Sequence, residues 1–239
     1  MPSLAQARKL LGALADRKGM DGHLHAWFSI AYYAGCRPAG IRDLREADCF
    51  LPDAGWGRLT LAGSAPEVGG EWTDSGECFD PRELKHRARG EVRMIPIPPL
   101  LVDALRDHLK RYGTAPGGRL FWDITTDGHA YIDGQRYRRV WDRARTAALS
   151  KTEYASALAK RPYDLRHGNA SWLLSLGVPA PEVARRLGHS VAMLHTTYAH
   201  WLEGQEEEAN TAIDRALAAA DEQDSGGPVT GQTDETDSK

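Results

Sequence analysis

Residues 161–200 read RPYDLRHGNASWLLSLGVPAPEVARRLGHSVAMLHTTYAH, and their pattern decides the architecture. Apolar residues recur at helical spacing over Asp164–Leu176, again over Pro181–Leu187, and again over Met193–Leu202. Polar groups able to do chemistry sit between and within these runs: Arg166 and His167, then Leu187-Gly188-His189-Ser190, then Tyr198.

Toward the N-terminus, Ser3 can cap a helix with Leu4, Ala7, Leu10, Leu11 and Leu14 on one face. A Gly-rich break at Gly19–Gly22 is expected to separate it from a second helix, His25–Ala34. The segment GCRPAGIRDLREADC then reads as a short turn containing Gly35 and Pro38, followed by a further helical turn. From Leu51 to Pro98 short alternating runs such as Arg58–Ala62 and Val92–Ile95 predict a small antiparallel sheet with hairpins. Helices resume at Pro99–Tyr112, with proline at a favourable first-turn position, and at Gln135–Leu149. Residues 206–220 place Ile213, Ala216, Leu217 and Ala220 on one face of a candidate terminal helix, and the acidic stretch beyond Asp221 is expected to be disordered. The fold class is mainly α with a small antiparallel β-sheet, an α+β arrangement.

Composition narrows the function classes. No apolar run approaches the roughly 20 residues of a membrane span, and the N-terminus lacks the pattern of a signal peptide. A cytoplasmic location is the expectation. Cys36, Cys49 and Cys78 are odd in number and widely spaced, which argues against a disulfide framework or a zinc site and for small buried hydrophobes. The net charge of −3 is unevenly divided. From Glu203 onward eleven acidic residues face only Arg215 and Lys239, a charge of −9 that leaves +6 on residues 1–202. A basic body with an acidic tail permits a polyanionic partner.

The ordered set Arg161-Pro162-Tyr163-Asp164-Leu165-Arg166-His167, Leu187-Gly188-His189 and Tyr198 resembles the tyrosine recombinases, the phage-integrase family. Their second box reads H-x-x-R, followed by L-G-H and a nucleophilic tyrosine. The separations agree with that family: 23 positions from Arg166 to His189 and nine from His189 to Tyr198. Upstream, Gly35-Cys36-Arg37 resembles the family's first box, and Leu84-Lys85-His86-Arg87 its lysine-bearing hairpin. The resemblance covers residues 1–202 and implies the integrase catalytic fold.

It also implies a chemistry. Tyr198 would attack a DNA phosphate to give a 3′-phosphotyrosyl intermediate, and Lys85 would protonate the departing 5′-oxygen. Arg37, Arg166 and His189 would hold the phosphate. Planar guanidinium groups suit this role, because they donate bidentate hydrogen bonds to the developing charge and stay protonated. A phenol, whose pKa is normally about 10, needs a positive neighbourhood to become a nucleophile. No metal or other cofactor is implied, since the ester itself conserves the bond energy. The implied partner is double-stranded DNA, with a homotetramer on DNA as the recombining assembly.

The sequence departs from the family in two places. Tyr163 stands where histidine is usual, and Gly40 stands where an acidic residue commonly follows the first arginine. The expected organisation is a catalytic domain at 1–205, a helix at 206–221 that could dock on a neighbour, and a disordered acidic tail at 222–239. The N-terminal DNA-clamping (core-binding) domain of full-length members is expected to be absent. Arg87, Arg89, Arg136, Arg138, Arg139 and Arg143 are candidate DNA contacts, the last four with Arg145, Tyr137 and Trp141 on one helix. Arg42 and Arg45 read as surface groups, and His167, His195 and His200 as packing or capping residues. Two rival readings remain: a topoisomerase-like nicking-closing activity, and a non-catalytic DNA-binding remnant.

Overall fold

The computed structural model describes residues 1–68, 78–83, 91–202, 210–211 and 213–218, with the side chains of 199–202 excepted. Two compact units are present, Met1–Thr197 and Tyr198–Lys239. The first unit holds helices α1 (Leu4–Ala15), α2 (Gly19–Tyr33), α3 (Pro38–Asp43), α4 (Pro99–Tyr112), α5 (Gly134–Ala148), α6 (Lys151–Ala155), α7 (Asp164–Ser175) and α8 (Ala180–Leu187). Helix α9 (Val191–Leu202) runs into the second unit and departs from helical geometry at Tyr198, with φ −125° and ψ 22°.

Local chemistry explains most of these boundaries. Ser3 and Gln6 form a reciprocal capping box at the start of α1. Pro99 opens α4 and Gly113 closes it at φ +68°. Asp133 caps α5 by accepting from the Arg136 amide. Helix α2 departs from expectation by starting six residues early, through the supposed glycine break. Gly22 sits where a Cβ would collide with the Arg17 carbonyl, so the glycine permits close packing inside the helix rather than ending it. Lys160 lies in an irregular segment, and Lys151 begins the short helix α6.

Helix α2 is apolar nearly all round, burying Leu24, Trp27, Phe28, Ile30 and Tyr32, and it packs against α1, α4, α5 and α7. A three-stranded antiparallel sheet flanks this core in the order β1 (Cys49–Phe50), β2 (Gly57–Leu61), β5 (Arg93–Ile97). Its register pairs Leu59 with Ile95 and Leu61 with Arg93. Strands β3 (Gly63–Ser64) and β4 (Arg82–Glu83) form a second, two-stranded sheet. The mainly α fold with a small antiparallel sheet therefore stands.

Several side chains lie elsewhere than expected. Arg42 is buried, donating to the Ile132 carbonyl at 3.0 Å and the Ala65 carbonyl at 2.6 Å, so it is internal scaffolding and not a surface group. Arg45 is exposed, as anticipated. Cys36 is buried and its thiol raised by burial, Cys49 is half-buried, and Cys78 is exposed, so only the first is a core hydrophobe.

Two histidines unforeseen in the sequence lie buried among aromatic rings. His23 packs against His108 at 4.9 Å between centroids and accepts the Trp122 amide at 3.3 Å; His108 donates to the Leu120 carbonyl at 2.9 Å. Burial, then the neighbouring His108, lowers His23 to about 3, and burial lowers His108 to about 4. Both are neutral at pH 7, whereas the unfolded chain takes up protons near the ordinary value of about 6.5. Native stability is therefore complete above that value and falls as pH drops toward about 4. Urea midpoints measured from pH 7 to 4.5 should decline steadily, and His108→Gln should flatten the decline. An unchanged slope in both His108→Gln and His23→Gln would refute this.

Candidate active site

The first unit gathers three parts of the chain around one short turn, Leu187-Gly188-His189. Gly35 and Arg37 arrive from the end of α2, Arg166 from α7 and Arg93 from the start of β5. The turn exists because α8 ends at Gly188 in a left-handed conformation, φ 66° and ψ 50°, which glycine adopts without strain.

Arg166 is the floor, only 1% exposed. One terminal nitrogen donates to the Gly35 carbonyl. The other donates at 2.7 Å both to the Leu187 carbonyl and to His189 Nε2. A guanidinium has only donors, so Nε2 must accept and the imidazole proton belongs on Nδ1. That Nδ1 is buried with no hydrogen-bond partner among the described residues. Arg37, by contrast, is exposed, and among the described residues its side chain donates only to the Gly188 carbonyl, at 3.5 Å. No carboxylate among the described residues lies within ion-pair distance of Arg37 or Arg166.

The electrostatics follow from this crowding of like charge. Burial, then Arg37, draws Arg166 below the usual arginine value, though it remains a cation at neutral pH. Burial, then Arg166, Arg37 and Arg93, lowers His189 to about 4, so the ring is neutral. Permanent cations beside a neutral hydrogen-bonding ring, two of them without a carboxylate among the described residues, suit an anion. A separate cavity of about 340 Å³ between α1, α2 and α4 is lined in part by Asp103 and Asp107, whose charges oppose an anionic ligand.

The structure thus brings together Arg37, Arg166 and His189. Tyr163 stands at the head of α7, its ring 5.1 Å from that of His167, and its phenol bears electrostatically on Arg166. Tyr198 is the first residue of the second unit. Lys85, Arg87 and Arg89 lie outside the described residues. On α5, Arg136 pairs with Asp123 at 2.8 Å, and Arg143 forks onto Asp21. Arg138 and Arg139 are exposed. Arg145 and Trp141 are buried, bonded to the carbonyls of Tyr154 and Ala159, so the supposed basic face is narrower than expected.

Arg93 escaped the sequence reading. It is 7% exposed, donates to the Leu187 carbonyl at 2.7 Å and occupies the space that a Cβ on Gly188 would fill. The signal was present: Arg93 alternates with Ile95 and Ile97 on the inward face of a strand, where a charged residue is anomalous.

Comparisons with known proteins bear on the fold. The fold is that of tyrosine recombinase catalytic domains. The Tn1549 transposon integrase (residues 82–397), solved in complex with circular intermediate DNA, superposes with a TM-score of 0.65 at 18% identity, covering 90% of this chain and 66% of that one. The catalytic domain of bacteriophage HP1 integrase gives a TM-score of 0.52 at 18% identity, covering 89% and 93%. XerH site-specific recombinase bound to difH gives 0.56 at 16% identity, covering 81% and 48%. In sequence, the chain is 28% identical over 191 residues to a Mycobacterium tuberculosis protein named "Putative prophage phiRv2 integrase". The match takes in 80% of this chain and spans about half the relative's length, 46%. No protein-family model matches the chain.

The turn at Gly188 offers a test of its own. Gly188→Ala must strain a left-handed residue and displace the Arg93 guanidinium, whereas Gly177→Ala, at φ +72° with open space around it, suffers strain alone. Left-handed strain costs on the order of 1 kcal/mol, and loss of a buried hydrogen bond to a charged group about 2 more. Chemical denaturation should rank Gly188→Ala well below Gly177→Ala; equal losses would mean that Arg93 does not occupy that space.

Proposed function

We propose that the chain is the catalytic part of a site-specific DNA recombinase that cleaves and rejoins DNA through a 3′-phosphotyrosyl bond. The observation that carries this reading is the pocket itself. Two arginines, taken from the sequence for their positions in separate motifs, converge with His189 on one turn, without a carboxylate among the described residues.

The roles follow from the geometry and the resemblance. Arg166, fixed on three acceptors, forms the rigid floor of the phosphate site. Arg37, exposed and weakly held, closes on a non-bridging oxygen. His189 contributes hydrogen bonding rather than charge. Tyr198 Oη attacks phosphorus, the P–O5′ bond breaks, and Lys85 gives the departing oxygen its proton. Rejoining reverses these steps, with the 5′-hydroxyl displacing the tyrosine. Tyr163 accompanies Arg166 in place of the usual histidine.

The substrate is double-stranded DNA, with Arg87, Arg89, Arg138 and Arg139 as candidate backbone contacts, and Arg136 and Arg143 available only by leaving their carboxylates. The recombining assembly would be a homotetramer in the cytoplasm. No helix among the described residues is long and apolar enough to cross a membrane. We assign catalysis to 1–205 and assembly to the helix at 206–221, with 222–239 as an acidic tail.

The test is covalent trapping on a pool of random-sequence duplexes, each nicked so that the cleaved end diffuses away. The parent chain should form an adduct and Tyr198→Phe none; an adduct persisting in Tyr198→Phe would place the nucleophile elsewhere. Arg166→Ala should keep most of its DNA binding while cleavage falls by about two orders of magnitude or more, the scale of removing a preorganised electrostatic donor. Equal loss of both would reduce this side chain to an anchor.

A further inference from the structure

We infer that Arg93 is a positioning residue of the phosphate pocket: its guanidinium, held on the Leu187 carbonyl and seated over Gly188, fixes the turn that presents His189 and receives Arg166. The inference rests on the reading of this pocket as the phosphate site.

Three observations support it. First, the Leu187 carbonyl accepts from Arg93 and Arg166 at the same distance, 2.7 Å, so the two guanidinium groups are registered against one oxygen. Second, the attachment between β5 and α8 is reciprocal. Arg93 reaches from strand to helix end, while Arg185, held by Glu182 at 2.6 and 2.7 Å, reaches from α8 to the Met94 carbonyl at 2.9 Å. The turn therefore cannot shift without dragging the strand. Third, a buried cation on an otherwise apolar strand face is expensive unless its hydrogen bonds hold something in place. Methionine of similar length would fill the volume at lower desolvation cost.

The charge of Arg93 also reaches the groups around the turn. Arg166, Arg37, Arg93 and His167 all bear on His189 and all favour its neutral form; Arg93 and Arg166 face Cys36 as well. Removing Arg93 should thus loosen the ring from Arg166 and raise its titration point.

The experiment compares the full parent chain with Arg93→Met and Arg93→Lys, on a sequence recovered from the trapped adducts. It reads DNA affinity, single-turnover cleavage rate at saturating DNA, and the His189 titration by NMR of labelled imidazole. Arg93→Met should bind DNA as the parent does and cleave at least about tenfold more slowly, the scale of a sub-ångström to ångström misplacement. Its His189 should titrate at higher pH. Arg93→Lys, which keeps a donor for the Leu187 carbonyl, should recover part of the rate. A parent-like rate with unchanged His189 titration overturns the inference, as does a loss of DNA affinity equal to the loss of cleavage. If Arg93→Met fails to fold, Arg93→Lys against the parent is judged the same way: slower cleavage with moved titration supports the inference, and parent behaviour in both sinks it. Absence of any adduct from the parent chain would instead overturn the reading of the pocket, and the inference with it.

Discussion

One carbonyl organises the arginine-lined pocket. The oxygen of Leu187 takes hydrogen bonds from Arg93 and Arg166, both buried, while the Gly188 and Gly35 carbonyls hold Arg37 and Arg166. Burying a guanidinium without a carboxylate is costly, and bringing two or three together adds repulsion. Backbone carbonyls supply hydrogen bonds without cancelling charge. Arg166 is therefore held by carbonyls and a neutral ring that leave its charge uncancelled, a state that an anion would relieve. An anion bound here would repay part of what folding spent on assembling the cations.

That arrangement survives because its supports belong to the core and not to loops. Gly35 follows the central helix α2, which is buried on nearly all sides. A Cβ at Gly35 would meet the Leu187 side chain and Asn169 Oδ1, so α7, the α8 turn and the end of α2 approach as closely as glycine allows. Arg166 projects from α7, which packs on α2 and α8. A set of donors fixed this way loses little to reorganisation when charge develops on a substrate, which is the source of electrostatic catalysis.

Much of this was legible in the sequence, and the failures have physical causes. The convergence of Arg37, Arg166 and His189 could be anticipated because the resemblance to a known family placed these residue types at particular separations. Most helices were legible because caps and apolar periodicity agree. The glycines at 19–22 misled because a local signal for a break was overridden by a tertiary need for close approach. Arg42 and Arg145 misled because residue type says exposed, while carbonyls at 2.6–3.0 Å from distant parts of the chain make burial possible. Arg93 was hidden differently. The alternation that revealed its strand also placed it on the inner face, but partners 94 positions away cannot be read from local pattern.

The neutral state of His189 is the last consequence of the same constraint. With Nε2 committed as acceptor to Arg166 and three cations nearby, protonation would add a fourth positive charge where no acid among the described residues offsets it. The charge of the pocket then resides wholly in groups that do not titrate near neutrality, and it stays constant across the range in which a histidine normally switches. The field that such a pocket offers an anion is therefore constant across that range. Proton handling is left to groups outside the guanidinium cluster. Separating fixed charge from mobile protons would let one small site hold an anion without giving it a proton.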